Sequence, residues 1–373
     1  MTTRILVIAG SDSGGGAGIQ ADIKTVTMLG GHATTAITAV TAQNSIGVHA
    51  VHLIPTDIVI AQIDAVVRDI GVDAIKIGMI GSAQTAGAVA DYLIGLEAPI
   101  VFDPVMIATS GSVLADAQTV KSFGRLMALA ALTTPNLPEL EALGGEASFT
   151  RPTLIKGGHG EDDTLVDRLI SAGSELARWE SDRIPTPHTH GTGCTLSSAI
   201  ATGLGQGMGL ELAIDRARLF VRLALHDAPG LGAGHGPLGQ GRVREDAMIP
   251  GSSLNQITVG SDDYAASVAF YLTLGLTQIV DSPTNGYARF EADNGVTLSI
   301  HAEGAVTSGT TIYFESQRLD AWVAELASRG LAFDQMPQDE LWGWREARLL
   351  DPFGNSVCLY CAGENRRYPP WRV

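Results

Sequence analysis

Residues 8–25 have the sequence IAGSDSGGGAGIQADIKT, which predicts a β-strand, a glycine-rich turn and an amphipathic helix in that order. Gly14, Gly15 and Gly16 allow the backbone to approach a ligand, and the helix N-terminus offers unpaired N–H donors. The spacing differs from the GxGxxG dinucleotide pattern and from the GK[ST] of a Walker A loop. A tight strand-to-helix turn that binds nothing is the alternative interpretation.

Short apolar β-rich segments alternate with longer helical ones from residue 1 to about residue 240. This alternation is typical of an α/β fold with a central, mostly parallel sheet. The strands are apolar almost throughout, which predicts helices on both faces of the sheet. The predicted strands are Arg4 to Ala9, Thr34 to Val40, Ala74 to Ile77, Pro99 to Asp103, Ala131 to Thr134 and Thr153 to Lys156. The predicted helices are Asp57 to Ile70, Thr85 to Leu96, Gly193 to Leu204 and Leu210 to Ala228.

A second glycine-rich junction, HGTGCTLSSAIA, lies between His190 and Ala201. Gly191, Thr192 and Gly193 precede a predicted helix, so backbone N–H groups and the positive end of the helix dipole converge there, which predicts an anion site. The same field is expected to lower the pKa of Cys194 and to make this thiol a base or nucleophile. A buried, unreactive cysteine is the alternative.

Charge and composition exclude several classes of function. The 373 residues contain 24 Lys and Arg against 40 Asp and Glu, a formal net charge of -16, which excludes nucleic acid and membrane surfaces as expected partners. Three cysteines form no disulfide framework, and the sequence shows neither a signal-peptide pattern nor a run of ~20 apolar residues. We therefore expect a cytoplasmic protein.

The aromatic composition changes after about residue 240, since four of the five Trp and six of the seven Tyr lie beyond it. We predict a first domain over residues 1–240, a linker over 241–252, a second domain over 253–363 and a solvated tail over 364–373. Strand and helix patterns in the second domain form a βαβββ unit that occurs twice, which predicts an α+β domain of paired modules around a cavity.

Further motifs of the first domain follow one another in a fixed order: AQNS at 42–45, KIGMI at 76–80, DPVM at 103–106, TPNLPE at 134–139 and KGGH at 156–159. With these motifs, residues 4–238 resemble the ribokinase superfamily, and within it the hydroxymethylpyrimidine and phosphomethylpyrimidine kinases. The resemblance implies phosphorylation, with ATP and Mg²⁺, of 4-amino-5-hydroxymethyl-2-methylpyrimidine and of its monophosphate to the diphosphate, in thiamin biosynthesis. It also implies a homodimer.

The resemblance assigns roles to individual residues. Gly10, Asp22, Gln43 and Met79 would contact the pyrimidine, since Asp22 and Gln43 can hydrogen-bond its amino edge and Met79 can pack on its face. Ordinary core or helix-surface packing is the alternative for each. Gly191, Thr192, Gly193 and Cys194 would form the anion hole, with Cys194 as the base that removes a proton from the hydroxymethyl group.

Other positions would serve the nucleotide and the metal. Asn136 and Lys156 would lie at ATP, and Glu139 would hold Mg²⁺ with help from Asp103. The alternative for Asn136 and Glu139 is a helix cap with a carboxylate in its first turn. His188 and His190 flank the anion hole, form no zinc pattern, and are interpreted as structural.

The region between Glu139 and Lys156 departs from the family pattern, because only residues 140–155 separate these motifs, whereas the family usually has a full helix there. A crossover between parallel strands normally needs a dozen residues or more. This crossover is therefore expected to be truncated and to leave one face of the sheet partly uncovered.

Residues 253–361 resemble the vicinal oxygen chelate family, on the segments from Leu254 (LNQITVGSDDYAASVAFYLTLGL) and up to Tyr360 (LLDPFGNSVCLY). The positions that match its metal ligands are Gln256, Ser299, Thr311 and Cys358, of which Ser and Thr are poor ligands. A metal site, a metal-free pocket and a structural or dimerising module stay open. For the whole chain, the rival hypotheses are a pyridoxal-type kinase and a degenerate kinase scaffold whose second domain senses a small molecule.

Overall fold

The computed structural model describes residues 2–108, 111–159, 163–243, 256–292, 296–301, 311–316, 319–341 and 343–361. The chain divides into two compact units, the first ending at Val243. Residues 241–243 of the predicted linker belong to the first unit, where Val243 is buried. The rest of that linker, 244–252, and the predicted tail, 364–373, lie outside the described residues.

A nine-stranded sheet forms the centre of the first unit. Its strands are β1 (Arg4–Asp12), β2 (His32–Gln43), β3 (Val48–Leu53), β4 (Ala74–Ile77), β5 (Ile100–Phe102), β6 (Leu132–Thr133), β7 (Thr153–Ile155), β8 (Thr164–Ser171) and β9 (Ser174–Asp182). They lie in the order β3-β2-β1-β4-β5-β6-β7-β8-β9. The six strands from β2 to β7 in this order are parallel, whereas β3, β8 and β9 pair antiparallel at the two edges.

Helices cover both faces of this sheet, as predicted. They are α1 (Gly18–Met28), α2 (Thr56–Asp69), α3 (Ala83–Leu93), α4 (Ala117–Leu129), α5 (Leu137–Ala142), α6 (Thr192–Gly205) and α7 (Leu210–His226). Leu6 and Ile8 of β1 share one buried cluster with side chains of α2, α3 and α4. Ile5 points to the other face, where a Cβ added at Gly205 of α6 would lie 2.9 Å from its Cδ1. Because neighbouring residues of a strand point to opposite faces, the apolar run of β1 is buried on both sides.

The crossover between β6 and β7 is short, as expected, and contains only the six-residue helix α5 and a 3-10 turn at Glu146–Ser148. Leu140 and Phe149 of this crossover nevertheless pack with Ile155 and Ile170 in a small buried cluster. Four elements had no counterpart in the sequence prediction, namely β3, α4, β8 and β9.

The second unit contains two four-stranded sheets with the same strand order. The first is β10-β13-β12-β11, from β10 (Gln256–Gly260), β11 (Thr277–Ser282), β12 (Tyr287–Glu291) and β13 (Thr297–His301). The second is β14-β17-β16-β15, from β14 (Thr311–Glu315), β15 (Gln335–Asp339), β16 (Arg345–Leu350) and β17 (Ser356–Cys361). Helices α8 (Tyr264–Thr273) and α9 (Leu319–Ser328) occupy corresponding places, and both contribute to one core. The predicted repeat is confirmed.

None of the helices in the described ranges combines the length and the hydropathy needed to cross a membrane.

Candidate active site

A cavity of about 720 Å³ opens where the parallel strands of the first unit end. The carboxyl ends of parallel strands are the usual place for ligands in open α/β sheets. The lining includes eleven of the twelve residues predicted from the sequence: Gly10, Gln43, Met79, Asp103, Asn136, Glu139, Lys156, Gly191, Thr192, Gly193 and Cys194. Asp22 is the exception and does not belong to the lining.

Gly10, Met79 and Gln43 are three of the residues that line the cavity. A Cβ at Gly10 would lie 3.0 Å from Met79 Sδ, so glycine lets the thioether lie directly against β1. The backbone carbonyl of Met79 accepts a hydrogen bond from Thr38 Oγ1 at 2.6 Å, which fixes Met79 two residues after the end of β4. Gln43 is held at its backbone, where its N–H donates to Ser13 Oγ (2.8 Å) and its carbonyl accepts from the same hydroxyl (2.7 Å).

The predicted contact of Asp22 with a ligand has no support in the structure. Its carboxylate is fully buried, and both oxygens lie 2.9 Å from Lys76 Nζ, while Ser198 Oγ donates to Oδ1 at 2.7 Å. Burial alone would lower the pKa of Lys76, but the neighbouring Asp22 raises it well above its ordinary value. Lys76 reaches the cavity in place of Asp22, so Asp22 acts from behind it as an ion-pair partner.

Two glycine-rich turns meet in the lining of the same cavity. Gly191 has the left-handed φ of 91° that favours glycine, and a Cβ there would lie 1.9 Å from the carbonyl oxygen of Gly16. At Gly193 a Cβ would lie 3.3 Å from Lys156 Nζ and 3.5 Å from Asp103 Oδ2. The first N–H groups of α6 have no acceptor within the helix, and they lie beside a lysine ammonium group, as an anion site requires.

The prediction that Cys194 has a lowered pKa is wrong. Burial raises the pKa of this thiol to about 11, and the nearby carboxylates of Asp22 and Asp103 add to the rise, although Lys76 and a hydrogen bond with the backbone of Gly18 oppose it. The helix dipole is therefore outweighed by desolvation. At neutral pH Cys194 is a thiol in this state of the protein.

Asn136 and Glu139 form a capping box at α5. Asn136 Oδ1 accepts the N–H of Glu139 at 2.9 Å, and Glu139 Oε2 accepts the N–H of Asn136 at 2.8 Å. The helix-cap interpretation is therefore realised, but Glu139 also lines the cavity with its Oε2 3.9 Å from Lys156 Nζ. Burial raises the pKa of Glu139 to about 7; Lys156 opposes this rise and Asp103 adds to it.

Lys156 lies between two carboxylates. Its Nζ donates to Asp103 Oδ1 at 2.8 Å, and Thr134 Oγ1 donates to the same oxygen at 3.0 Å. Burial would lower the pKa of Lys156, but Asp103 and Glu139 raise it, so the ammonium group keeps its charge. Within the described residues no three His, Cys, Asp or Glu side chains form a metal cluster. Glu139 and Asp103 nevertheless suit Mg²⁺, which usually binds one or two protein carboxylates and completes its shell with water and phosphate.

Asp12 and His190 were not predicted as site residues, although both line the cavity. His190 Nε2 lies 2.9 Å from Asp12 Oδ2, and the Asp12 carboxylate also accepts the N–H groups of Gly14, Gly16 and Ala17. An Asp followed by glycines is a recognised turn signal. That signal was present in the sequence, whereas the contact with His190, 178 positions away, was not foreseeable.

In the second unit, two of the four predicted metal positions, Ser299 and Cys358, have other partners. Ser299 Oγ lies 3.0 Å from Tyr287 Oη, and Cys358 Sγ lies 3.5 Å from Glu346 Oε2. Burial, followed by the adjacent Glu346, raises the pKa of Cys358 to about 12, which disfavours the thiolate that a metal requires. The side chain of Gln256 lies outside the described residues.

Cys358 and Cys361 lie on opposite faces of β17, since Cys361 packs against the core of the unit and Cys358 packs with Tyr360 and Trp344.

Comparisons with known proteins agree with this division of the chain. Residues 12–239 match the family model for phosphomethylpyrimidine kinase, and residues 253–359 match that of the glyoxalase/bleomycin resistance protein/dioxygenase superfamily. A hydroxymethylpyrimidine/phosphomethylpyrimidine kinase of Haemophilus influenzae is 42% identical over 255 residues, which cover 63% of this chain and 95% of that protein.

A thiamine biosynthesis bifunctional protein, ThiED, of Geobacter sulfurreducens is 45% identical over 260 residues, 65% of this chain, but the chain spans only 53% of that relative. Among solved structures, an ADP complex of Bacillus subtilis pyridoxal kinase superposes with a TM-score of 0.59 at 31% identity, over 64% of this chain and 98% of that one.

Proposed function

The chain belongs to the phosphomethylpyrimidine kinase family, and on this basis we propose that it phosphorylates 4-amino-5-hydroxymethyl-2-methylpyrimidine and then its monophosphate, with ATP, in thiamin biosynthesis. One observation carries the proposal: a single cavity is lined both by Gln43 and Met79 and by the turn at Gly191 with Lys156. The first pair suits a planar heterocycle, and the turn with Lys156 suits phosphate groups.

Gln43 and Met79 would orient the pyrimidine. The thioether of Met79 lies next to Gly10, and Met side chains pack well against aromatic rings. The amide of Gln43 carries both a donor and an acceptor, so it can bond both groups of an aminopyrimidine edge. The ring would then lie with its hydroxymethyl group towards α6.

The first turn of α6 and Lys156 would hold the phosphoryl group during transfer. Phosphoryl transfer depends on positioning and on neutralising charge. The N–H groups of Gly193 and Cys194 in the first turn of α6 would donate to the phosphoryl oxygens, and the Lys156 ammonium group would balance the charge of ATP. Glycine at 193 keeps Lys156 Nζ close, because a Cβ would lie only 3.3 Å from it.

Cys194 is proposed to take the proton of the hydroxymethyl group in the first phosphorylation. With its pKa at about 11, the thiol cannot act as a standing thiolate at neutral pH. Only the small ionised fraction, beside the Lys76 ammonium group, would remove the proton. The second phosphorylation needs no such base, because a phosphate monoester is already an anion.

The carboxylates of Glu139 and Asp103 would hold Mg²⁺ together with water and the nucleotide. When bound, the metal supplies positive charge that neutralises the phosphates of ATP. Lys156 contacts Asp103 and approaches Glu139, so it keeps both carboxylates facing the cavity.

A pyridoxal-type kinase is the second candidate, favoured by the similarity of the fold to that of B. subtilis pyridoxal kinase. Pyridoxine also carries a ring hydroxymethyl group. To separate the two, ADP release would be measured with Mg-ATP and, in parallel, hydroxymethylpyrimidine, its monophosphate, pyridoxal or no acceptor. Turnover of both pyrimidines with little pyridoxal supports the proposal. Turnover of pyridoxal alone supports the second candidate, and no turnover supports a scaffold.

Several expectations about the whole chain belong to the same proposal. We propose a first domain that extends to Val243 rather than ending at residue 240, a second domain over 253–363, a linker between them and a tail after them, together with a homodimer and a cytoplasmic location. The three cysteines are free thiols, which supports a reducing compartment. Sedimentation analysis of the full chain would test the homodimer.

A further inference from the structure

Three polar side chains from distant parts of the chain meet in the lining of the cavity. Asp12 ends β1, Gln43 ends β2, and His190 precedes α6. One end of the Gln43 amide lies 3.0 Å from His190 Nε2, and the other lies 3.2 Å from Thr41 Oγ1. The two ends of a glutamine amide are told apart by their hydrogen-bond partners, and here the partners decide the orientation.

Asp12 determines which atom of the Gln43 amide faces His190. Burial alone would raise the pKa of Asp12, but hydrogen bonds from His190 and from the N–H groups of Ala17 and Gly14 lower it below its ordinary value. Asp12 is therefore a carboxylate, which only accepts hydrogen bonds. Since Asp12 Oδ2 lies 2.9 Å from His190 Nε2, this nitrogen must carry a hydrogen. The amide atom that faces the same N–H must then be the oxygen of Gln43.

The Thr41 side agrees with this orientation. Thr41 Oγ1 lies 3.0 Å from the carbonyl oxygen of Ser11, which can only accept, and this contact is shorter than the one of 3.2 Å to the Gln43 amide. With its hydrogen directed to Ser11, Thr41 accepts from Gln43 through a lone pair, and the amide atom that faces it is the nitrogen.

We infer that Asp12, His190 and Thr41 are positioning residues that fix the Gln43 amide in one orientation and thereby determine which heterocycle edge the site accepts. This inference rests on the proposed function, because Gln43 is taken to face the pyrimidine. After bonding to His190 and Thr41, the amide still has one N–H and one oxygen lone pair for a ligand. These match a ring nitrogen next to an exocyclic amino group.

A fixed amide rejects the opposite edge. In the 4-oxo analogue of the substrate, the exocyclic group accepts and the ring nitrogen donates, so donor faces donor and acceptor faces acceptor. A glutamine that can rotate serves either edge with equal ease. Each mismatched hydrogen bond is worth about tenfold in affinity, so the fixed amide favours the amino compound by about a hundredfold.

The test compares kcat/KM for the 4-amino and the 4-oxo hydroxymethylpyrimidine in the full-length protein, from ADP release. Thr41→Val and His190→Phe each remove one constraint on the amide, and the double variant removes both. Thr41→Ser keeps the hydroxyl and is the matched control for Thr41→Val. Melting temperatures verify that each variant is folded, and ¹⁵N spectra of histidine-labelled protein report whether His190 Nε2 carries a hydrogen.

We expect the ratio of the two kcat/KM values to fall about tenfold in each single variant and further in the double variant, while Thr41→Ser keeps it within about threefold. The inference is overturned if folded variants lose both activities in equal proportion, or if His190 Nε2 proves to be unprotonated. Failure of the wild-type protein to phosphorylate either pyrimidine would instead reject the proposed function. In that case the ¹⁵N spectrum still decides the orientation of the amide.

Discussion

Lys76→Met is expected to destabilise the first unit by about 3–5 kcal/mol at pH 7, because it leaves a buried carboxylate without its cation. The side chains of Lys76 and Asp22 are both 0% exposed, and Ser198 Oγ also donates a hydrogen bond to Asp22. In the Lys76→Met variant, Asp22 avoids a buried, unpaired charge only if its carboxyl group stays protonated. At pH 7 this costs about 4 kcal/mol, from ~1.4 kcal/mol for each of the ~3 pH units above an ordinary aspartate pKa.

The loss should depend on pH in a defined direction. In the variant the folded pKa of Asp22 lies above the unfolded one, so the folded state binds the proton more tightly and loses stability as pH rises. The destabilisation at pH 5 should be only about 1.5 kcal/mol, because pH 5 lies about one unit above the unfolded pKa. Calorimetric unfolding of the full chain, followed at the transition of the first unit, measures both values.

Two further variants complete this test. Asp22→Asn leaves the lysine unpaired and should also destabilise the protein, whereas the double variant Asp22→Leu with Lys76→Met should recover most of the loss, since apolar residues can replace a buried ion pair. A loss below about 1 kcal/mol for Lys76→Met at pH 7, or an equal loss at both pH values, would refute this account of Asp22.

Three other predictions concern Cys194, Gly191 and Glu139, which line the cavity. Cys194→Ala should depress the first phosphorylation more than the second, and equal losses in both steps would indicate that Cys194 only positions the substrate. In the wild-type protein, turnover of the hydroxymethyl substrate should rise with pH towards the Cys194 pKa of about 11. Gly191→Ala should lower kcat/KM for both substrates at least about a hundredfold, because its φ of 91° and the Gly16 carbonyl leave no room for a Cβ. Gly47→Ala, with nothing within 4 Å of its Cβ, is the matched control, and similar activities of the two variants would contradict the prediction. Glu139→Gln keeps an acceptor for the helix cap but removes the titration of Glu139. In EDTA, the wild-type protein should lose at most about 3 kcal/mol of stability as pH rises from 4.5 to about 7, because the folded state binds the proton more tightly, and the variant should not show this loss. A stability difference between the two proteins that does not depend on pH would exclude this titration.

The sequence was sufficient for elements with a strong local pattern. The helices α2 and α7 were predicted within a few residues, and the repeated modules of the second unit were predicted in their order of elements, because their apolar positions recur at regular spacing. The hairpin of β8 and β9 was missed, since most of its residues are polar or only partly buried. Edge strands of this kind lack the apolar run that identifies a central strand.

The candidate site was predictable as a set of positions but not as an electrostatic environment. The glycine-rich turns and the order of the motifs located eleven lining residues. Charge states depend on burial and on neighbours far along the chain, which a local pattern does not contain. The dipole of α6 was visible in the sequence, whereas the desolvation that raises the pKa of Cys194 was not.

The contact between Asp12 and His190 joins residues 178 positions apart. During synthesis, the glycine-rich turn after β1 leaves the ribosome long before the segment that completes it. Contacts of such high sequence separation form late and slow the folding of a domain. A nascent chain that stops before residue 190 would therefore contain much of the parallel sheet but no finished site. Incomplete products would be inactive rather than half active, and the second unit emerges only after the first can close.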